Sequence, residues 1–348
     1  MTTRSRAAII GCGVIAEQHL KVMTALPTVD VVAVCDVSPV TARTTAERAG
    51  VGRWFVDATE MLADVAPDVV HVLTPPQFHR DLTEQALNAG AHVLCEKPIT
   101  LTAPELKAQI DRANAAGRML IESHNYGFND QIVALDDLVA GGRLGTVIDA
   151  DISIAVPIAT GRFAEEGSPF RNFPAGAIHD FITHLVYLGL RFFPGQSVTD
   201  VHSVWRNRSG VAALRYDELS GLIATDNGFV RVRFSGHTEP LACRIAIRGT
   251  KGAAETDLYQ PFLRAQLERP GGKLGPLVDH AVNGIGLLGA STRNFRDKLL
   301  QKTPYHGMNV MIPRFYEAVA GRGETPVTTA DMLRTSETID RLVAGATA

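Results

Sequence analysis

The sequence predicts an α/β protein of two domains: residues 1–124 on a parallel sheet, and residues 125–348 as an α+β domain with a largely antiparallel open sheet. In the first part, short apolar strands alternate with helical stretches of about 10–14 residues, as in βαβ units. In the second part, strand patterns come in pairs joined by tight turns, which favours antiparallel pairing. A length of 348 residues with 45% apolar residues suits two globular domains.

The overall composition restricts what the protein binds and where it works. A net charge of −3 gives no electrostatic reason to expect nucleic-acid binding. No apolar run approaches the ~20 residues of a transmembrane helix, and residues 1–6 lead into a strand without room for a signal peptide. The four cysteines are scattered, as expected for buried thiols in a reducing compartment. We therefore predict a cytoplasmic protein with no transmembrane segment.

The first strand, residues 7–10, leads into a glycine-rich run and then a helix that continues towards Ala25. Gly11 permits a tight turn, Gly13 lets the backbone approach a pyrophosphate, and Ala16 allows close packing of the helix, whose N-terminus favours phosphate. G-x-G-x-x-A between strand and helix therefore predicts a Rossmann-type dinucleotide-binding domain. The expected cofactor contacts in this run are Gly11, Gly13, Val14 and Ile15.

The second strand, residues 30–34, ends at Cys35-Asp36, and this acid lies 20 residues beyond Ala16. A carboxylate at that spacing typically accepts hydrogen bonds from the ribose hydroxyls and repels a 2′-phosphate. The alternative, that Asp36 caps the next helix, is less favoured because Ser38-Pro39 supplies a cap. We predict NAD as cofactor, with NADP as the alternative through Arg43.

Two further strand ends carry polar groups. The strand at residues 68–73 ends in Thr74-Pro75-Pro76 with His79 beyond it, and the strand at residues 92–95 ends in Glu96-Lys97-Pro98. Ligands bind beyond the carboxyl ends of strands in doubly wound sheets, so Lys97 is expected to present its ammonium to a bound ligand. A solvated surface Glu-Lys pair is the alternative. His79 is a better candidate for such a site than His19, which we expect to lie in a helix and pack there.

The long helix predicted at residues 177–192 carries Asp180 and His184, which are four residues apart and therefore project from one face. His179 points elsewhere and is interpreted as structural. A metal site is not favoured, because His179 and His184 are five residues apart and do not share a face.

The remaining elements of the second domain follow from alternation and turn signals. Residues 259–306 fit this plan poorly, since many glycines and prolines precede an apolar stretch and then a basic one; we predict an inserted interaction element outside the sheet. We expect it to pack against another subunit, with a lid over the substrate as the second interpretation and contact with an anionic membrane surface as the third. The two C-terminal helices are expected to pack back onto the first domain. The other predicted elements are a helix at 131–139, strands at 147–156, 198–206, 221–225, 229–234, 244–248 and 253–258, and final helices at 308–320 and 330–343.

Taken together, these motifs resemble the Gfo/Idh/MocA family of NAD(P)-dependent oxidoreductases. The resemblance rests on five runs: Gly11-x-Gly13-x-x-Ala16, Thr74-Pro75-Pro76-x-x-His79, Glu96-Lys97-Pro98, Asp180-x-x-x-His184 and Thr325-Pro326-Val327. Two departures border the substrate pocket that the resemblance implies. Where the family usually has D-x-G-x-H, the middle position here is Ile182 in Phe181-Ile182-Thr183, and the glycine-rich run before it reads Pro174-Ala175-Gly176. Gly127 replaces the arginine of the family's usual Arg-Phe pair.

The resemblance implies hydride transfer between a nicotinamide and a secondary alcohol or ketone of a sugar, cyclitol or nucleotide-linked sugar. Lys97 is then expected to donate to the reacting oxygen, His184 to act as base with Tyr126 as the next candidate, and Asp180 to orient the imidazole or a substrate hydroxyl. The cofactor contacts would also include Thr74, Pro75, His79, Glu96 and Lys97, and the substrate contacts Lys97, Tyr126, Arg162, Arg171, Asp180 and His184.

Two other functions share these motifs: a redox-assisted enzyme that recycles bound NAD, and a sugar or dinucleotide sensor without turnover. Retention of Lys97, Asp180 and His184 together argues against the sensor. Relatives of this kind commonly associate through the second domain, so the resemblance also implies a homodimer or homotetramer.

Overall fold

The computed structural model describes residues 4–165, 167–211, 214–268, 275–299 and 305–346. It divides into two compact units, the first made of Met1–Asn125 with Gly307–Ser336 and the second of Tyr126–His306 with Glu337–Ala348. The sequence had placed the boundary at residues 124 and 125 and had assigned residues 307–336 to the second domain. The structure groups those residues with the first unit.

The first unit contains a six-stranded parallel sheet, which confirms the predicted fold class of this part. Its order is β3-β2-β1-β4-β5-β6, so the direction of winding reverses between the neighbours β1 and β4. Such a switch point is where ligands bind in doubly wound folds. The strands are β1 (Ser5–Ile10), β2 (Val29–Cys35), β3 (Trp54–Phe55), β4 (Val69–Val72), β5 (His92–Cys95) and β6 (Leu120–Glu122).

The helices between these strands begin where the sequence supplies capping groups. Ser38 caps α2 by accepting from the backbone N–H of Thr41, with Pro39 in the first helical position, and Asp57 caps α3 by accepting from the N–H of Glu60. These caps explain why the two helices begin where they do. The helices are α1 (Val14–Ala25), α2 (Pro39–Ala49), α3 (Ala58–Val65), α4 (His79–Asn88) and α5 (Ala103–Ala115).

The second unit contains a seven-stranded mixed sheet in the order β13-β12-β11-β7-β10-β9-β8, in which only the β7–β10 pair is parallel among the described strands. The largely antiparallel sheet is therefore confirmed. Its strands are β7 (Val147–Ala155), β8 (Val198–Arg206), β9 (Glu218–Thr225), β10 (Phe229–Ser235), β11 (Ala242–Gly249), β12 (Gly252–Asp257) and β13 (Arg264–Leu267).

Three helices accompany this sheet: α6 (Asp130–Ala140), α7 (His179–Leu190) and α8 (Gly275–Leu299). Helix α7 packs against β7 and β10. A Cβ atom at Gly189 would lie 2.3 Å from Cγ1 of Val230, so only glycine allows this approach of the helix to the sheet. The close contact fixes the helix that carries Asp180 and His184.

The prediction that residues 259–306 stand apart from the sheet is wrong for Arg264–Leu267, which pair with β12 as the edge strand β13. This strand was not predicted because a loop of several residues, and not a tight turn, separates it from β12. Helix α8 then covers the free edge. Asn283 donates to the carbonyl of Ala265 at 2.8 Å and accepts from its N–H at 3.1 Å, and Asp279 accepts from the N–H of Leu267 at 3.1 Å.

The chain ends with α9 (Met308–Val319) and α10 (Thr329–Ala344), and the division between the units falls within α10. Helix α9 packs against α1, with Phe315 and Tyr316 buried. None of the helices in the described ranges is long and apolar enough to cross a membrane.

Candidate active site

The glycine-rich turn of the first unit has the geometry that a dinucleotide requires. Gly11 has a φ of +95°, and a Cβ atom there would lie 2.7 Å from the backbone of Leu73 and Thr74. Gly13 precedes the first residue of α1, and no side chain caps that helix start. A Cβ atom at Gly13 would meet no atom within 4 Å. The open helix start therefore fits a phosphate group approaching its N–H groups.

Asp36 lies at the end of β2 and is held by two backbone groups. One carboxylate oxygen accepts from the N–H of Cys12 at 2.9 Å, and the other accepts from the N–H of Ser38 at 2.9 Å. The first bond ties the acid to the glycine-rich turn. Helix α2 is capped by Ser38, so capping is not the role of the Asp36 side chain.

The residues that follow β4 form the third part of this sheet edge. Among the described residues the buried Thr74 hydroxyl has no hydrogen-bond partner, whereas its carbonyl lies 2.6 Å from Nε2 of His79. Nδ1 of His79 lies 2.7 Å from the carbonyl of Pro98. A neutral imidazole donates to one of these carbonyls at a time. Burial lowers the pKa of His79 against the opposing effect of both carbonyls. The ring thus links the Thr74-Pro75 loop to the Lys97-Pro98 loop.

Glu96 and Lys97 follow β5, and the Lys97-Pro98 peptide bond is cis. The Glu96 carboxylate is buried and lies 3.2 Å from Nε2 of His19. Burial by itself raises the pKa of Glu96, but the hydrogen bond from His19 and the charge of Lys97 outweigh it, so the pKa is lowered. Beyond the proline, the N–H of Ile99 donates to Glu122 at 2.8 Å, which anchors the loop.

The ten predicted cofactor residues therefore all lie in the first unit, in or beside the turns that follow four neighbouring parallel strands. An uncapped helix start, a glycine without a Cβ contact, an unpartnered threonine hydroxyl and a fixed carboxylate together fit NAD. The residues are Gly11, Gly13, Val14, Ile15, Asp36, Thr74, Pro75, His79, Glu96 and Lys97.

In the second unit, α7 presents Asp180 in its first turn and His184 one turn later. The His184 ring is 6% exposed and stacks on the ring of Tyr126, with centroids 4.2 Å apart and planes at 15°. Nδ1 of His184 lies 2.8 Å from the hydroxyl of Tyr187. Burial raises the pKa of Tyr126 well above its ordinary value, which opposes its use as a base near neutral pH.

Sequence reasoning missed three of the tyrosines around His184. Tyr187 bonds its imidazole, the Tyr259 hydroxyl lies 3.4 Å from that of Tyr126, and the Tyr305 ring centroid lies 6.4 Å from the Tyr126 ring. The spacing of three residues between His184 and Tyr187 on one helix is the signal that could have found the first. Tyr259 and Tyr305 lie in the segment predicted as an insertion, where no pattern singled them out.

The other predicted residues of the second unit are placed as follows. Arg171 is exposed in a short 3₁₀ turn, and the side chain of Arg162 lies outside the described part of the chain. Ile182, in the position of the family's glycine, is fully buried. At Gly127, where the family has arginine, a Cβ atom would lie 3.2 Å from Nη1 of Arg191. A different arginine thus occupies the space beside this glycine.

A parallel sheet in this order, with an open glycine-rich turn at its switch point, defines a dinucleotide-binding Rossmann domain. Residues 5–124 match the family GFO_IDH_MocA, described as "Oxidoreductase family, NAD-binding Rossmann fold". Residues 5–124 therefore belong to the NAD-binding Rossmann fold of the Gfo/Idh/MocA oxidoreductase family.

Individual relatives agree with this assignment. The chain is 29% identical over 263 residues to inositol 2-dehydrogenase of Rhizobium meliloti (strain 1021), covering 74% of this chain and 76% of that protein. It is 36% identical over 143 residues to D-glucoside 3-dehydrogenase of Escherichia coli (strain K12), which spans 41% of each. The structure of levoglucosan dehydrogenase in complex with NADH and L-sorbose superimposes with a TM-score of 0.83 at 17% identity, covering 99% of this chain and 97% of that one. At this identity the last comparison shows the shared fold.

Proposed function

We propose that this protein transfers a hydride between NAD and a secondary alcohol or ketone of a sugar, cyclitol or nucleotide-linked sugar. The observation that carries the proposal is Lys97, which follows β5 on the same sheet edge as the uncapped start of α1 and the Asp36 carboxylate. The names of the relatives, which include an inositol and a glucoside dehydrogenase, support the substrate class.

NAD, when bound, supplies the hydride acceptor for oxidation of the alcohol. Gly11, Gly13, Val14 and Ile15 would bind its pyrophosphate and Asp36 its ribose, with Thr74, Pro75, His79 and Glu96 shaping the adjoining loops. NAD is preferred to NADP, because the carboxylate of Asp36 repels a 2′-phosphate and Val37 supplies no cation.

The protein side chains handle the proton. Lys97 donates to the oxygen on which charge develops, and His184 accepts the hydroxyl proton. If Nδ1 of His184 donates to the Tyr187 hydroxyl, the basic lone pair of the neutral imidazole is on Nε2. Asp180 orients a substrate hydroxyl or the imidazole. Tyr126, Arg162 and Arg171 complete the proposed substrate contacts.

The oligomeric state and the compartment belong to this proposal as well. We infer a homodimer or homotetramer, which the exposed apolar side of α8 supports. We infer a cytoplasmic location from the four cysteines, which are all buried and unpaired as expected in a reducing compartment.

The test is a panel of polyols and nucleotide-linked sugars, in both reaction directions, monitored by NADH absorbance.

Once a substrate is identified, we expect Lys97→Ala and His184→Ala to reduce turnover by ~10²–10⁴-fold while leaving the affinity for NADH nearly unchanged. The matched control is His202→Ala, which removes an exposed histidine in β8 that is paired with Asp200. Near-normal turnover of His184→Ala across pH would contradict its role as the base. NADH binding without turnover of any compound would instead favour the sensor.

A further inference from the structure

A chain of buried polar side chains in the first unit leads to Glu96. The Tyr316 hydroxyl of α9 lies 3.0 Å from Nε2 of His71, in β4. Nδ1 of His71 lies 2.9 Å from Nδ1 of His19, in α1, and Nε2 of His19 lies 3.2 Å from the Glu96 carboxylate. His19 and His71 are 0% exposed, Tyr316 is 2% exposed and Glu96 is 9% exposed. Since water has little access, these groups must satisfy one another.

Counting protons along the chain fixes the direction of each hydrogen bond. An ionised Glu96 can only accept, so Nε2 of His19 carries the hydrogen. Nδ1 of a neutral His19 is then an acceptor, so Nδ1 of His71 donates to it. Nε2 of His71 is left as an acceptor for the Tyr316 hydroxyl. Every contact is satisfied with both imidazoles neutral, and burial, the largest effect on His71, lowers its pKa.

The opposite direction is disfavoured at both ends. It requires a protonated Glu96 beside Lys97, whose charge favours the carboxylate. It also makes the Tyr316 oxygen an acceptor, so that the hydroxyl hydrogen needs another partner. In the described part of the chain His71 is the only hydrogen-bond partner of that hydroxyl. The other polar groups near Glu96 in the described part of the chain include Ser123, Cys95 and His79.

We propose that Tyr316, His71 and His19 form a one-way hydrogen-bond chain that sets the tautomers of both imidazoles and holds Glu96 as a carboxylate next to the Lys97 ammonium. The three residues are positioning residues, since they act through Glu96 and not on the substrate. This inference rests on the proposed function, in which Lys97 must be protonated to donate to the reacting oxygen.

The tautomers can be measured without any turnover. We expect ¹⁵N NMR of the histidine-labelled, full-length protein at neutral pH to show the Nδ1–H tautomer for His71 and the Nε2–H tautomer for His19. The two residues are assigned by comparison with His71→Gln and His19→Gln. The opposite tautomers, or an imidazolium at either position, would overturn the hydrogen-bond chain. This result stands whether or not a sugar substrate is found.

The positioning role is tested with Tyr316→Phe, which keeps the ring and removes only the terminal donor. We expect a second His71 tautomer to become populated and the pKa of Glu96, followed by ¹³C NMR of the glutamate-labelled protein, to rise, since Glu96 is held less firmly as the anion. NADH affinity should stay within about twofold. Tyr216→Phe, which removes the hydroxyl that donates to the Ala346 carbonyl in the second unit, is the matched control.

An unchanged Glu96 titration in Tyr316→Phe, although the tautomers change, would overturn the positioning role. Absence of turnover with every compound would reject the proposed function, and with it that role, but the tautomer result would still stand. The two failures are therefore distinguishable.

Discussion

At the scale of single residues, Asp36 is the most informative position. Its carboxylate is held by the N–H groups of Cys12 and Ser38, so it cannot swing away from the glycine-rich turn without breaking both bonds. A fixed negative charge at the end of β2 repels a 2′-phosphate and accepts from a 2′-hydroxyl. The proposed preference for NAD thus rests on the backbone groups that fix this acid.

We predict that Asp36→Asn weakens NADH binding by roughly tenfold and NADPH binding much less, because the amide keeps an acceptor for the backbone but loses the charge. Calorimetric titration of both cofactors measures the two affinities. Asp57→Asn is the matched control, since this acid caps α3 in the same unit. A wild-type protein that binds NADPH more tightly than NADH would contradict the assignment.

Residues of this kind could be predicted from sequence because their roles depend on local spacing. Gly11, Gly13 and Asp36 stand at fixed intervals around one strand–turn–helix unit. Tyr316 could not be predicted as a partner of His71, because 245 residues separate them and a buried hydroxyl-to-imidazole contact leaves no periodic signal. The spacing of three residues on one helix could have indicated that Tyr187 contacts His184. A tyrosine on an apolar helix, however, usually belongs to the core.

At the scale of elements, strands and helices with regular periodicity were predicted well, whereas α8 and β13 were not. Helix α8 is amphipathic, but its polar side contacts the sheet and its apolar side is exposed. Its polar side, with Asp279 and Asn283, binds the backbone of the edge strand, while Ile285 and Leu288 are each 73% exposed. A pattern read from sequence places the apolar side towards the core, and here that assumption fails. The other exposed apolar side chains of α8 are Leu277, Val278, Val282, Leu287, Phe295 and Leu299.

We predict that the exposed side of α8 packs against a second copy of the chain. Eight large apolar side chains are exposed on this one helix, and a large exposed apolar patch marks an interaction site. Glycines 284, 286 and 289 have open space around them, which lets another helix approach closely. Ile285→Lys with Leu288→Lys should therefore lower the mass seen by light scattering.

Leu241→Lys, at a half-exposed leucine outside α8, controls for the added charge. An unchanged mass in the α8 variant would reject this interface. If NADH binding persists in that variant but turnover is lost, the helix instead covers the substrate.

At the scale of the whole molecule, buried histidines make stability depend on pH. Burial lowers the pKa of His71 and of His79, so the folded protein keeps both neutral while the unfolded chain takes up protons below about pH 6.5. Because the unfolded state binds more protons, the free energy of unfolding falls as pH falls through this range. Glu96, with a lowered pKa, adds a loss in the same direction at lower pH.

We predict that the first unit loses up to ~1.4 kcal/mol of stability per pH unit for each such histidine below pH 6.5. The two tryptophans, Trp54 in β3 and Trp205 in β8, report on different units, so urea unfolding of Trp205→Phe follows the first unit alone. His71→Phe should flatten the pH dependence, and His202→Ala should not. Equal slopes for wild type and His71→Phe would contradict the assignment of His71 as a buried neutral group.

Residues Gly307–Ser336 belong to the first unit but are synthesised after most of the second, which affects how the first unit folds during synthesis. Tyr316 and Phe315, buried against the helices and strands of that unit, leave the ribosome long after Asn125. At ~5–20 residues per second, the N-terminal sheet waits roughly 10–40 s for the helix that covers it. During that time the part of α1 that α9 covers is exposed, and nascent chains released before residue 307 should be captured by chaperones or cleaved there by added protease.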